Sequence, residues 1–402
     1  MKRILFVDDE PRILEGLRRM LRGQRGEWEM AFAESGEAAC AQLADSPFDV
    51  IVTDMRMPGM DGVALLRHVR ERYPQMIRII LSGHSEQEAA FRAVAVAHQF
   101  LSKPCEAETI RSVVTRACNL QKLLNDPALR QLVGSVSSLP SLPKTHERLN
   151  QLLVNPNASL QTIGRVIEQD MGMSAKILQI VNSSFFGLPQ RISNIAAAIN
   201  YLGLQTIRNL VLSVETFRAF EKEKPCPGFS VEALQSHALA TAHLIQQMMT
   251  DRVALQDAFT AGLLHDVGKL ILATRYADRY ANALSCARQK AVPLSETERS
   301  LLGVSHAEVG AYLLGIWGLP YTVVEAVAFH HEPGKVDAQI FDALTAVHVA
   351  NVLAYESHPD NAGATGSLPP ILDEGLVQRL NLADKLPAWR TAAACRSSPS
   401  AS

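Results

Sequence analysis

The sequence predicts a doubly wound α/β domain with a five-stranded parallel sheet, followed by an all-α domain. Three observations carry this. Short β-branched or apolar runs alternate with amphipathic stretches as far as Leu124. The stretch "NDPALRQLVGSVSSLPSLPK", rich in Pro, Ser and Gly, then breaks the alternation. Beyond it, apolar residues recur only at helical spacing.

In chain order, "RILFV" precedes a helical pattern from Pro11 to Leu21, and "WEMAFA" precedes "SGEAACAQLA". "DVIVTD" precedes "GVALLRHVRERY", "MIRIILS" precedes "EQEAAFRAVAV", and "HQFLSK" precedes "EAETIRSVVTRACNLQKLL". Repeated strand–helix order implies a parallel sheet with helices on both faces. The later helical patterns include "LQTIGRVIEQ", "MSAKILQIVNSSFF", "VEALQSHALATAHLIQQMM" and several more. The boundaries read as 1–124 for the α/β domain, 125–140 for a linker and 141–356 for the helical domain. Residues 357–402 read as a partly disordered C-terminal extension, frayed from about Thr391.

With 402 residues, 47 % hydrophobic and 20 % charged, the chain can bury two sizeable cores. Its 39 Lys and Arg nearly cancel 41 Asp and Glu, which gives no electrostatic case for direct nucleic-acid binding. The six cysteines form no CxxC pair and read as reduced thiols of a cytoplasmic protein. The apolar run after the basic start is too short for a signal peptide, and no run approaches the length of a membrane span.

In a doubly wound sheet, chemistry collects at the carboxyl ends of the strands. The strand "VIVTD" ends in Asp54; the first strand runs out into Asp8 and Asp9, the fourth into Ser82 and the fifth into Lys103. Crowded carboxylates repel unless a cation lies between them, and oxygen-only ligands suit Mg²⁺. Asp8 or Asp9, Asp54 and the backbone carbonyl of Arg56 form the expected ligand set. A carboxylate beside Mg²⁺ and a lysine is a nucleophile for phosphoryl transfer, with Ser82 and Lys103 placed to meet phosphoryl oxygens. One such acid alone would read as a helix cap; the five together read as a phosphorylation site at Asp54.

"VDDE", "VTDMRMPGMDG", "LSGH" and "FLSKP" together resemble the receiver domain of two-component response regulators, over roughly Met1 to Leu124. The resemblance implies phosphorylation of Asp54 by a sensor histidine kinase and a cis Lys103–Pro104 bond. It also permits a homodimer through the receiver. Phe100 stands where a switch aromatic, often Tyr, is expected; without the hydroxyl it reports activation through packing alone.

The helical half carries His237, the pair His265–Asp266 in "GLLHDVGKL", His306, and the pair His330–His331 in "AFHHEP". Imidazoles and a carboxylate suit Fe, Mn or Zn, and two metals bridged by Asp266 would activate water against a phosphodiester. Any one of these histidines alone reads as a hydrogen-bonded core side chain. The ordered set resembles the HD phosphohydrolase superfamily, and more narrowly the HDOD domain, a relative often regarded as non-catalytic. That likeness runs from about Ser135 to Tyr355, with "LPSLPKTHERLNQLL", "IEQDMGMSAKILQIVNSSFFG" and "ISNIAAAINYLGLQTIRNLVL" as its other carriers. The related HD-GYP phosphodiesterases, which hydrolyse cyclic di-GMP, have a GYP loop where this chain has "HHEPGKVDAQIFDAL". Asn351 corresponds to their late ligand Asp, so a dinuclear site would lose a charge. Lys269 reads either as a phosphate contact or as a C-terminal-turn lysine complementing the helix dipole.

Two functions follow as expectations. The leading one is a phosphorylation switch whose helical module binds a further signalling protein, as yet unknown. The alternative is a phosphorylation-regulated HD phosphohydrolase acting on a cyclic dinucleotide.

Overall fold

The computed structural model describes residues 1–82, 96–103, 105–120, 127–136, 145, 148–149, 151–152, 159–182, 191–201, 203, 225–336, 340–357 and 370–394. The chain divides into two compact units. Met1–Ser137 form the body of the first, and Ser138–Leu178, Ile192–Leu314 and Leu319–Ser402 that of the second.

The first unit is built on five parallel strands: β1 (Lys2–Val7), β2 (Trp28–Ala33), β3 (Val50–Asp54), β4 (Ile77–Ser82) and β5 (Gln99–Ser102). Their order is β2-β1-β3-β4-β5. Ile4 to Phe6, Val50 to Val52, and Ile77, Ile79 and Ile80 are wholly buried, as unbroken apolar runs in a sheet covered on both faces require. The connecting helices are α1 (Pro11–Met20), α2 (Gly36–Asp45) and α3 (Gly62–Arg72), and α4 (Ala107–Leu120) follows β5. Ser35 caps α2 by accepting from Ala38 N, and Asp61 caps α3 by accepting from Ala64 N. The pattern "EQEAAFRAVAV" and Pro104 lie outside the described residues.

The strand order reverses between β1 and β3, so the carboxyl ends of these neighbours open a crevice. Gly59 turns the chain beyond β3 with φ +75°. At Gly62 a Cβ would collide with the Asp54 carbonyl; glycine there lets α3 start directly against the end of β3.

The stretch read as a linker contains a helix, α5 (Pro127–Gly134), which belongs to the first unit. Its last carbonyl, Gly134 O, accepts from Arg78 Nη2 at 2.7 Å. Arg78 is 2 % exposed and also donates from Nε to Val96 O (2.7 Å) and from Nη1 to Pro74 O and Met76 O (3.1 Å each). A Cβ on Gly134 would collide with Pro74 O, so a glycine is required for this close approach. One guanidinium on β4 thus ties the end of α5 to the sheet.

The second unit is helical. Its described elements include α6 (Leu160–Glu168), α7 (Met171–Val181), α8 (Val231–Met248), α9 (Arg252–Leu264), α10 (Val267–Arg275), α11 (Ala277–Lys290), α12 (Leu294–Leu302), α13 (His306–Ile316), α14 (Tyr321–Phe329) and α15 (Ala343–Ser357). Asp170 caps α7, accepting from Met173 N at 2.9 Å. Every residue of α15 from Ala343 to Tyr355 is buried, and α8, α9 and α14 pack around it. A helix that is apolar all round is a core helix.

The C-terminal stretch adds α16 (Glu374–Arg379) and α17 (Leu386–Ala394), and α17 packs on α8 and α15. Trp389 stacks on Phe341 with ring centroids 5.4 Å apart, and Arg390 Nε meets Glu356 Oε2 at 2.8 Å. Helix continues through Thr391 to Ala394, where the sequence reading expected fraying. Few large apolar residues mark this stretch, and the buried Leu386 and Trp389 hold the final helix. Among the described residues no helix is long and apolar enough to cross a membrane.

Replacing Arg78 by Met leaves several buried carbonyls without a donor, a defect of about 3 kcal/mol or more. Urea denaturation of the full chain is expected to show the receiver-half transition shifted to lower urea, while that of the helical half stays in place.

Candidate functional site

At the carboxyl ends of β1 and β3, one lysine joins two acids. Lys103 Nζ donates to Asp8 Oδ2 at 2.7 Å and is ion-paired with Asp54 Oδ1. Asp8 is 1 % exposed and Asp54 8 %. Asp8 Oδ1 accepts from Glu10 N (3.0 Å), and Asp54 Oδ2 accepts from the backbone N–H of Arg56 (2.7 Å). Burial pushes the Asp8 carboxyl up from its ordinary range, against the lowering effect of its hydrogen bond from Lys103. Burial works to lower Lys103, but Asp54 and Asp8 outweigh it and the ammonium is stabilised.

Asp9 is half-exposed beside this pair. Ser82 ends β4, one residue past the Leu81 that pairs with Asp54 in the sheet register. Phe100 is buried on β5, opposite Ile80. Two carboxylates within reach of a single ammonium leave net negative charge and an all-oxygen donor set, which fits a hard dication such as Mg²⁺.

The second cluster lies wholly in the helical unit. His237 is on α8 and Asn351 on α15; His306 opens α13, and His330 and His331 follow α14. His265 and Asp266 were expected within one helix but stand at the break between α9 and α10, where Asp266 leaves helical geometry (φ −98°, ψ 10°). The break turns both side chains into the cluster. Gly268 has no room for a Cβ against the His306 carbonyl, and this lets α10 meet the start of α13.

The ligand atoms of Asp266, His306, His330 and His331 lie within 4.8 Å of one another, as do those of His237, His265 and Asp266. The tautomers follow from the partners. His265 Nδ1 donates to Gly262 O (2.7 Å) and His330 Nδ1 to Val327 O (2.8 Å), because a carbonyl only accepts. His306 Nδ1 faces Glu298 Oε2 at 2.6 Å, and the same oxygen accepts from His306 N. When neutral, each ring therefore aims an Nε2 lone pair at the Asp266 carboxylate: His306 at 3.2 Å, His265 at 3.4 Å and His330 at 3.8 Å. The Nε2 atoms of His265 and His330 are buried without a hydrogen-bond partner. Lone pairs converging on a carboxylate need a cation between them, and N₃O donors suit Fe, Mn or Zn.

One residue of the cluster escaped the sequence reading. Glu298 is fully buried and orients His306, yet it lies eight positions upstream in "SETERSLLGVSH", a spacing that marks no local motif. Lys269 is not a C-terminal-turn lysine, one of the two readings its sequence position allowed. It sits in the first turn of α10, 2 % exposed, and donates to Asp266 Oδ2 at 2.7 Å and Tyr355 Oη at 3.3 Å. Asn351 Oδ1 lies 2.8 Å from His237 Nε2. "NSSFFG" falls, beyond Asn182, outside the described residues.

Comparisons with known proteins agree with both halves. A model of the response regulator receiver domain matches residues 4–115, and a model of the HDOD domain matches residues 139–333. The chain is a response regulator with an HDOD domain. An uncharacterized protein of Treponema pallidum is 25 % identical over 245 residues, 60 % of this chain and 47 % of that one. The DNA-binding transcriptional regulator NtrC of Salmonella typhimurium is 39 % identical over 137 residues, 34 % of this chain and 29 % of that one. The MmoQ response regulator of Methylococcus capsulatus is a solved structure, 28 % identical, covering 60 % of this chain and 98 % of that one with a TM-score of 0.45. This response regulator spans less than half the length of those two curated relatives.

Burial, and then the neighbouring His265, hold His237 at about 3. Burial with adjacent imidazoles also holds His330 and His331 well below the usual range. His306 goes the other way: burial would lower it, but Glu298 and Asp266 raise it. A depressed histidine stabilises the fold above its unfolded value of about 6.5 and loses that contribution as pH falls. The raised His306 contributes in the opposite sense. Its window lies above pH 6.5; below that value His306 is protonated in both states, while His237, His330, His331 and the likewise lowered His348 each take up a proton on unfolding. Chelator-treated protein is expected to lose HDOD stability as pH falls below about 6.5, by about 1.4 kcal/mol per pH unit for each proton taken up. Urea midpoints of the helical transition between pH 7 and 5.5 check this; a flat profile would contradict the assigned neutral imidazoles.

Proposed function

We propose that a sensor histidine kinase passes a phosphoryl group to Asp54, and that the loaded receiver controls an HDOD module whose output is binding to another signalling protein. The observation that carries this reading is the Lys103 ammonium shared by Asp8 and Asp54 at the point where the strand order reverses. An Asp54 carboxylate oxygen attacks phosphorus, the P–N bond of the donor phosphohistidine breaks, and an acyl phosphate forms. Mg²⁺, held by Asp8, Asp54 and the Arg56 carbonyl with Asp9 beside it, would neutralise charge on the phosphoryl oxygens. Lys103 is already placed to follow one of those oxygens. Ser82 would donate a hydrogen bond to another, and Phe100 would repack as β4 and β5 respond. About two added negative charges at this point supply the local cause for that response.

A second reading concerns the helical cluster. Its inward lone pairs support a bound divalent Fe, Mn or Zn, which would act as a Lewis acid or as a structural cross-link. His237, His265, Asp266, His306 and His330 are each at most 1 % exposed. That burial favours the cross-link over hydrolysis of a substrate as large as a cyclic dinucleotide.

With acetyl phosphate as donor, Asp54→Asn is expected to reduce phosphate incorporation to background, whereas wild-type stoichiometry in that variant would refute the assignment. Lys103→Met is expected to slow labelling by about 10²-fold. Cyclic di-GMP incubated with Mn²⁺-loaded protein is expected to remain intact; turnover lost in Asp266→Asn would promote the enzyme reading.

A further inference from the structure

We infer that the HDOD cluster takes one divalent cation rather than two, because the Lys269 ammonium already fills the second cation position. This rests on the reading that the cluster holds a metal. Asp266 is shared between two unlike halves. Its Oδ1 faces His306 Nε2 at 3.2 Å and His330 Nε2 at 3.8 Å, with His331 Nε2 2.9 Å from His306 Nε2. These four side chains supply three imidazoles and one carboxylate oxygen, a complete tetrahedral donor set. Glu298 fixes the His306 ring with its second nitrogen, and the Val327 carbonyl fixes His330 in the same way.

The other half is built differently. Asp266 Oδ2 is occupied by Lys269 Nζ at 2.7 Å, and a Tyr355 hydroxyl 3.3 Å away helps to hold that ammonium. Lys269 is buried, so it cannot swing into solvent without unmaking the packing of α10. A metal bridging to Oδ2 would stand beside a fixed positive charge with little water to screen it. The remaining donors on that side are His265, His237 and the neutral amide of Asn351, whose oxygen is already within hydrogen-bond distance of His237. They bring no negative charge to offset a second dication. Lys269 and Asn351 together exclude the second metal, one by occupying its position and the other by withholding its counter-charge.

The test counts ions. Full-length protein is stripped with chelator, equilibrated with Zn²⁺, dialysed, and assayed by plasma mass spectrometry beside Asp266→Ala, which removes the carboxylate common to both halves. Any zinc held by the receiver is common to both proteins, so the difference counts the cluster alone. A difference of one ion per chain supports the inference. Two would overturn it while leaving the metal reading in place, and none would remove the metal reading itself. The double variant Lys269→Met, Asn351→Asp is expected to raise the count by one, with circular dichroism confirming its fold. A folded double variant that still binds a single ion would overturn the roles given to these two residues. Asp266→Asn, closer in volume, replaces Asp266→Ala if the latter does not fold.

Discussion

Lys103 sets one ammonium against two carboxylates, Asp8 and Asp54, at strand ends that the parallel sheet brings side by side. The rest of the receiver follows from that constraint. Two buried acids in a crevice repel each other unless cations balance them. The fold supplies one cation, Lys103, directly after β5. Asp54 is therefore largely shielded from water and ion-paired with that lysine. The helical domain meets the same demand with other materials. Asp266 is buried at a helix break, where the Lys269 ammonium balances its charge.

Much of the receiver was legible because its chemistry lies at the ends of regular elements. "VIVTD" is an unbroken buried strand, and the alternation around it fixes parallel topology. Asp8, Asp54, Ser82 and Lys103 each follow a short apolar run, so one topological rule places them along a common edge. Helix α5 was not legible. Its surroundings are rich in Pro, Ser and Gly, and what holds it is a guanidinium 56 residues earlier in the chain. No local window contains that partner. Helix α17 was hidden for a related reason: small residues dominate it, and its anchor, Phe341, comes from a distant segment.

In the HDOD half, residue types were legible and geometry was not. Histidine order suggested a shared cluster, and the structure gathers His237, His265, Asp266, His306, His330, His331 and Asn351 into one. The roles of Glu298 and Lys269 depend on where helices break. Once α10 starts at Val267, Lys269 falls in its first turn and turns back on Asp266. A spacing argument that treats "GLLHDVGKL" as a single helix puts that lysine at the wrong end. Gly268 is likewise silent in the sequence, although its missing side chain decides how closely His306 can approach.

The central claim is that, of the two acids paired with Lys103, Asp54 is the one that carries the phosphoryl group. Borohydride reduction of phosphodonor-treated protein converts an acyl phosphate to an alcohol at the modified residue, and peptide mass spectrometry then locates it. The account predicts homoserine at position 54 and at no other acid. Reduction mapped to Asp8 or Asp9, with Asp54 intact, would contradict it.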